Sequence, residues 1–147
     1  MLKNIPNILS PEMLKALSEM GHGDEIVIAD GNFPSASICS GVGTPLLLRA
    51  DGHTIPTILE AVIGLIPLDT YSEKNICLMQ VVPGDNCKTP IWDEYKHILS
   101  SIEKEENIRI EAIERFAFYE RAKKAYAVIA TSESAQYANI IITKGVI

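Results

Sequence analysis

Basic residues are the scarcer charge in this chain. Thirteen Lys and Arg face nineteen Asp and Glu, for a net charge of −6. Nucleic-acid binding needs a basic face to neutralise phosphates, and an acidic chain does not supply one. Cysteine is scarce too. Cys39, Cys77 and Cys87 make an odd, irregularly spaced set with neither a disulfide framework nor a metal pair, which points to a reducing, cytoplasmic setting. No apolar run approaches the roughly 20 residues that cross a bilayer. The longest, Ile58 to Leu68, is interrupted by Glu60, Gly64 and Pro67. The opening Met1-Leu2-Lys3-Asn4-Ile5 lacks the apolar stretch and cleavage site of a signal peptide. Gly41-Val42-Gly43 lacks the third glycine of a dinucleotide fingerprint, and serine-nucleophile motifs are missing. No His, Cys, Asp and Glu set has metal-site spacing, so neither metal nor cofactor is expected.

What remains is a chain suited to a packed core. With 47% hydrophobic and 22% charged residues, its 147 residues predict one domain over 1–147. Ser10, Pro11 and Glu12 announce a helix start, and Met13, Leu14, Leu17 and Met20 share its apolar face before Gly21. Glu25 to Ala29 reads as a buried strand ending at the turn-rich Asp30-Gly31-Asn32-Phe33-Pro34. Further strands are expected at Leu46–Leu48, Asn75–Val82, Ile108–Ile113, Ala125–Ala130 and Asn139–Thr143. Helices are expected at Thr54–Leu65, from Thr89-Pro90 onward, at Arg115–Lys124 and at Thr131–Gln136. Helices alternating with nearly continuous apolar strands predict a three-layer α/β/α domain with a central, largely parallel sheet.

The candidate chemistry starts at Gly21-His22-Gly23-Asp24. A histidine between two glycines has room around its ring, and an unperturbed imidazole exchanges protons near neutral pH. Spacing alone leaves two readings open, proton transfer and a hydrogen bond to the helix end. Asp30 directly follows the first strand, where open α/β sheets favour ligands. Its eight-residue separation from His22 is compatible with the two side chains folding toward each other; a local Asx turn is the equal alternative. Asp51-Gly52-His53 is a turn signal, His97 reads as an exposed helix residue, and Trp92 as core or interface.

Several blocks together resemble the L-fucose mutarotase / D-ribose pyranase family. They are the run from Leu9 to Glu25, Ala29-Asp30-Gly31-Asn32-Phe33-Pro34, Glu114 to Ala122, and the closing Tyr137-Ala138-Asn139-Ile140 and Lys144-Gly145-Val146. The resemblance implies cofactor-free interconversion of monosaccharide anomers or ring forms. It makes His22 the acid/base residue, Asp30 the sugar-binding carboxylate, Arg115 the basic residue of the sugar site, and Tyr137 and Asn139 its C-terminal part. Tyr119, one helical turn after Arg115, is expected on the same side. Arg115 and its block resemble the fucose branch, with ribose pyranase and a non-catalytic sugar-binding accessory protein as the alternatives. The resemblance also implies a ring-like homo-oligomer, commonly a decamer, with sites near subunit contacts. Residues 37–48 and 85–107 depart from the family pattern, and both are expected at the pocket rim.

Overall fold

A computed structural model describes residues 2–147. Six strands form one sheet: β1 (Glu25–Ala29), β2 (Leu46–Ala50), β3 (Ile76–Met79), β4 (Ile110–Ile113), β5 (Ala127–Thr131) and β6 (Ile140–Thr143). Their order is β2-β5-β1-β6-β3-β4. Parallel pairs join β1 to β5, β2 to β5 and β3 to β4, whereas β6 runs antiparallel between β1 and β3. The sheet is therefore largely parallel, as expected, with one reversed strand at its centre.

That reversal has a simple cause. A parallel return needs a crossover of about a dozen residues or more, usually a helix. Only residues 132–139 separate β5 from β6, and they form no helix. Here the expectation of a helix over Thr131–Gln136 fails. Thr131 ends β5, and its hydroxyl accepts from the Glu133 N–H at 3.1 Å. The buried Glu133 carboxylate accepts from the N–H of Ala135 at 2.9 Å and of Ile55 at 3.3 Å. These side-chain bonds, two local and one to a residue 78 positions away, take the place of the helical ladder.

Helices cover both faces. On one lie α1 (Pro11–Glu19), α3 (Ile55–Ile63) and α4 (Pro90–Ile102); on the other lie α2 (Ser35–Ile38) and α5 (Arg115–Ala122). The strands divide their side chains accordingly, because successive residues point to opposite faces. Ile26 and Ile28 pack with the first group of helices, Val27 and Ala29 with the second. All four are fully buried, so β1 reads as one continuous apolar run. Ser10 caps α1, its hydroxyl accepting from Met13 N–H at 3.2 Å, and Glu114 caps α5 by accepting from Phe116 and Ala117 N–H. The elements α3, β4, α5, β5 and β6 are one to three residues shorter than the sequence reading, β3 is four shorter and β2 two longer; α2 and a 3-10 turn over Glu105–Asn107 are not anticipated by it.

Candidate functional site

The antiparallel β6 brings Asn139 beside the carboxyl end of β1. The Asp30 backbone N–H donates to Asn139 Oδ1 at 2.8 Å, and Asn139 Nδ2 donates back to Asp30 Oδ2 at 2.9 Å. The other Asp30 oxygen accepts from Asn32 N–H at 2.9 Å. Of the two alternatives weighed for Asp30, the local Asx turn is the one present, and the same residue also lines a cleft. The residue is 4% exposed, and that burial raises its pKa above the usual carboxylate value although the surrounding donors oppose the shift.

The cleft has a volume of about 320 Å³ and is walled by Asp30, Asn139, Tyr137, Arg115 and Tyr119. These five residues come from three separate parts of the chain, and all five are the expected sugar-binding set. Arg115 opens α5 and lies over the Phe116 ring at 4.6 Å. One turn on, Tyr119 packs edge-on against Phe33 at 5.5 Å. Donor fork, carboxylate, amide and aromatic faces together suit a small neutral polyol. A larger cleft of about 670 Å³ between α1 and β2 contains none of these groups.

His22 lies elsewhere. It precedes β1 whereas Asp30 follows it, so roughly 15 Å of extended chain separates them. The idea that the two side chains fold together within one chain is therefore wrong: a strand buried in the sheet centre cannot bend back on itself. His22 instead meets Asp69, Nε2 to Oδ1 at 3.0 Å, and its ring packs against Tyr71 at 5.2 Å. Gly23 permits the turn, with φ +84° and its N–H donating to Lys144 carbonyl at 2.8 Å.

Asp69 escaped sequence reading. Burial acts to raise its pKa, but donors prevail: the Ser72 hydroxyl, Tyr71 N–H, His22 and Ser72 N–H together hold the carboxyl at about 2. An ionised carboxylate only accepts, so His22 Nε2 carries the proton of this bond, and in the neutral form of the ring the lone pair is then on Nδ1. Asp69-Thr70-Tyr71-Ser72 has the look of a local turn, but nothing in the sequence links it to a histidine 47 positions earlier. Asp85 also walls the cleft, which places the start of the divergent 85–107 stretch at its rim. The 37–48 stretch is absent from that rim, a correction to the expectation; its Gly43, Thr44 and Leu46 line the larger cleft instead. Among the described residues, no group of three or more His, Cys, Asp and Glu is arranged to hold a metal ion.

Residues 3–147 match the family described as the RbsD / FucU transport protein family. The chain belongs to that family. It is 54% identical over 150 residues to the fucose mutarotase of Homo sapiens, covering 99% of this chain and 94% of that one. Its fold resembles the fucose mutarotase of Streptococcus pneumoniae in complex with L-fucose, with a TM-score of 0.90, 46% identity and 99% of each chain covered. The FucU of Bifidobacterium longum gives 0.93 with 52% identity, again over 99% of each chain.

Proposed function

We propose that this protein is a mutarotase that interconverts the anomers of L-fucose by general acid–base catalysis. The observation that carries the reading is the convergence of Asp30, Asn139, Tyr137, Arg115 and Tyr119 on one cleft. The fucose mutarotases among its relatives supply the reaction and the sugar. Mutarotation opens a hemiacetal and recloses it on the other face. A proton must leave the anomeric hydroxyl while another reaches the ring oxygen. With Nε2–H held by Asp69, His22 Nδ1 takes the hydroxyl proton and a second group or water protonates the ring oxygen. The carbonyl rotates, and the same groups run in reverse to close the ring.

His22 reaches the sugar from a second copy of the chain, because its own cleft lies at the far end of β1. Both ends carry an exposed aromatic of the kind that interfaces use: Tyr71 beside His22 is 77% exposed, and Phe116 beside Arg115 is 61% exposed. A ring-like homo-oligomer, in the decameric form, joins the two ends from neighbouring subunits. The three irregularly spaced cysteines support a cytoplasmic location. No helix among the described residues is long and apolar enough to cross a membrane.

The test is NMR exchange spectroscopy on L-fucose with a catalytic amount of protein. Cross-peaks between the two anomer signals are expected, growing with protein concentration and weaker for D-ribose. Line broadening without exchange would instead identify a sugar-binding accessory protein, a reading that the family's transport description favours. At L-fucose well below saturation, co-refolding exchange-deficient His22→Gln with binding-deficient Asp30→Ala raises exchange above the sum of the two separate variants if the site is shared between subunits. A mixture that stays at that sum would refute the shared site.

A further inference from the structure

Tyr137 keeps a left-handed backbone, with φ +55°. A bulky residue stays in that region only when its surroundings determine it. Two long-range bonds do so here. The indole N–H of Trp92, in the first turn of α4, donates to the Tyr137 carbonyl at 2.8 Å. The Tyr137 phenol donates to Asp85 Oδ2 at 2.6 Å. The second Asp85 oxygen accepts from Cys87 N–H at 3.0 Å, so one carboxylate folds the loop after β3 and also anchors the phenol. Next in the chain, the Ala138 carbonyl accepts from the buried Tyr95 hydroxyl at 2.7 Å. Helix α4 and the loop before it therefore grip residues 137–138 from outside the sheet, immediately before the Asn139 that pairs with Asp30.

We propose that Asp85 and Trp92 are positioning residues of the sugar site, acting through Tyr137 to fix its ring as one wall of the cleft. This rests on the sugar reading of that cleft. Asp85 takes the phenol on one oxygen and the Cys87 N–H on the other, and the part assigned to it here is to hold the phenol. The phenol, having spent its proton on Asp85, offers the sugar only a ring face and an acceptor lone pair. Trp92 controls the other variable, the backbone rotation that aims the ring.

Asp85→Asn retains the shape and one acceptor, Trp92→Phe retains a ring without its donor, and Tyr137→Phe removes the phenol. In anomer exchange by NMR, each variant is expected to raise KM for L-fucose by about three- to thirtyfold with kcat within about twofold, the signature of lost uniform binding. Asp85→Asn combined with Tyr137→Phe should be no worse than the more damaging single change, since both break one bond. Multiplying effects would mean that Asp85 touches the sugar directly, and would overturn the proposal. So would a fall in kcat at unchanged KM. A second readout does not need the sugar. The hydrogen bond to Asp85 raises the phenol above the ordinary tyrosine value, and Asp85 and Cys87 are the titratable groups facing it. Ultraviolet titration of the five tyrosines, with Tyr137→Phe marking the relevant transition, should show that transition moving down in Asp85→Asn. Fucose that neither binds nor exchanges with the unmodified protein overturns the sugar reading. A Tyr137 transition that does not move, with fucose binding intact, overturns the clamp.

Discussion

At the amino end of β1, a carboxylate with 1% exposure is held at about 2; at the carboxyl end, one with 4% exposure is pushed above its ordinary value. Burial raises both, so the donors decide the outcome. Asp69 collects two backbone N–H groups, a serine hydroxyl and the His22 ring. Asp30 receives fewer strong donors, and one of them, Asn139, is bound into a reciprocal amide pair. The Asp69 end is a finished network whose purpose is a fixed charge and a fixed tautomer of His22. Asp30 has one donor on each oxygen and lines a cleft, where the proposed function adds sugar hydroxyls to them. On the proposed function, chemistry and recognition fall at opposite ends of one buried strand.

The largest expected effect tests that division directly. His22→Gln should lower the rate of anomer exchange at saturating L-fucose by about 10²–10⁴-fold, the usual reach of general acid–base catalysis. Fucose affinity should stay within about tenfold. A variant that loses binding and exchange together would place His22 in recognition and dissolve the contrast. Asp30→Asn should do the reverse. One amide cannot accept from both Asn32 N–H and Asn139 Nδ2, and it brings the wrong group to the cleft. Fucose affinity, measured by titration calorimetry, should fall by about tenfold or more, with the exchange rate at saturation much less affected.

A smaller effect comes from the support of His22. Asp69→Asn leaves a buried donor short of an acceptor, at a cost of about 1–3 kcal/mol in chemical denaturation. Exchange should slow by roughly tenfold at unchanged KM, because the ring is no longer confined to one tautomer. Gly145→Ala approaches the same network from below. A β-carbon there would collide with the Leu68 carbonyl, so the segment leading to Asp69 must move. Overpacking of this kind costs about 1–3 kcal/mol. It should slow exchange in the direction of Asp69→Asn while leaving fucose affinity near that of the unmodified protein. Weakened binding with intact exchange would show that the two ends of β1 are not independent.

Much of this arrangement was legible before the fold was known, for reasons that differ between its parts. Apolar continuity identified β1, β3 and β5, because strands buried on both faces leave no alternation to misread. Its place directly after β1 singled out Asp30, with an Asx turn as the equal alternative, and the closing residues stood out through family resemblance. What could not be read was placement across long separations. Asp69 lies 47 positions from the ring it orients, and Asp85 lies 52 from the phenol it holds. Each looks locally like a turn former. The helix expected at Thr131–Gln136 failed for the same reason, since the Glu133 carboxylate reaches Ile55, 78 positions away. The supposed meeting of His22 and Asp30 was an error of another kind: proximity in sequence was mistaken for proximity in space, although five residues of strand lie between them.

The smallest expected effect is in the pH dependence of stability, where the two carboxylates should have opposite signs. The folded state holds Asp69 at about 2 against an ordinary 3.8. A depressed carboxyl contributes stability above its unfolded value and loses it as pH falls through the folded one. At 1.36 kcal/mol per unit, this amounts to roughly 2 kcal/mol, lost between about pH 5 and pH 2. Asp30 is raised, so the fold binds its proton more tightly than the unfolded chain does. Its contribution is fully present below the unfolded value and declines as pH rises through the folded one. Thermal melts of the unmodified protein against Asp69→Asn should therefore converge as the buffer is taken from pH 5 toward pH 2. Against Asp30→Asn, the unmodified protein should gain relative stability as pH falls from neutrality through the raised Asp30 value. Subtracting each variant from the unmodified protein at every pH removes the carboxylates common to both. Two difference curves of the same sign would mean that burial alone governs these groups, and that the donors gathered around Asp69 do not set its charge.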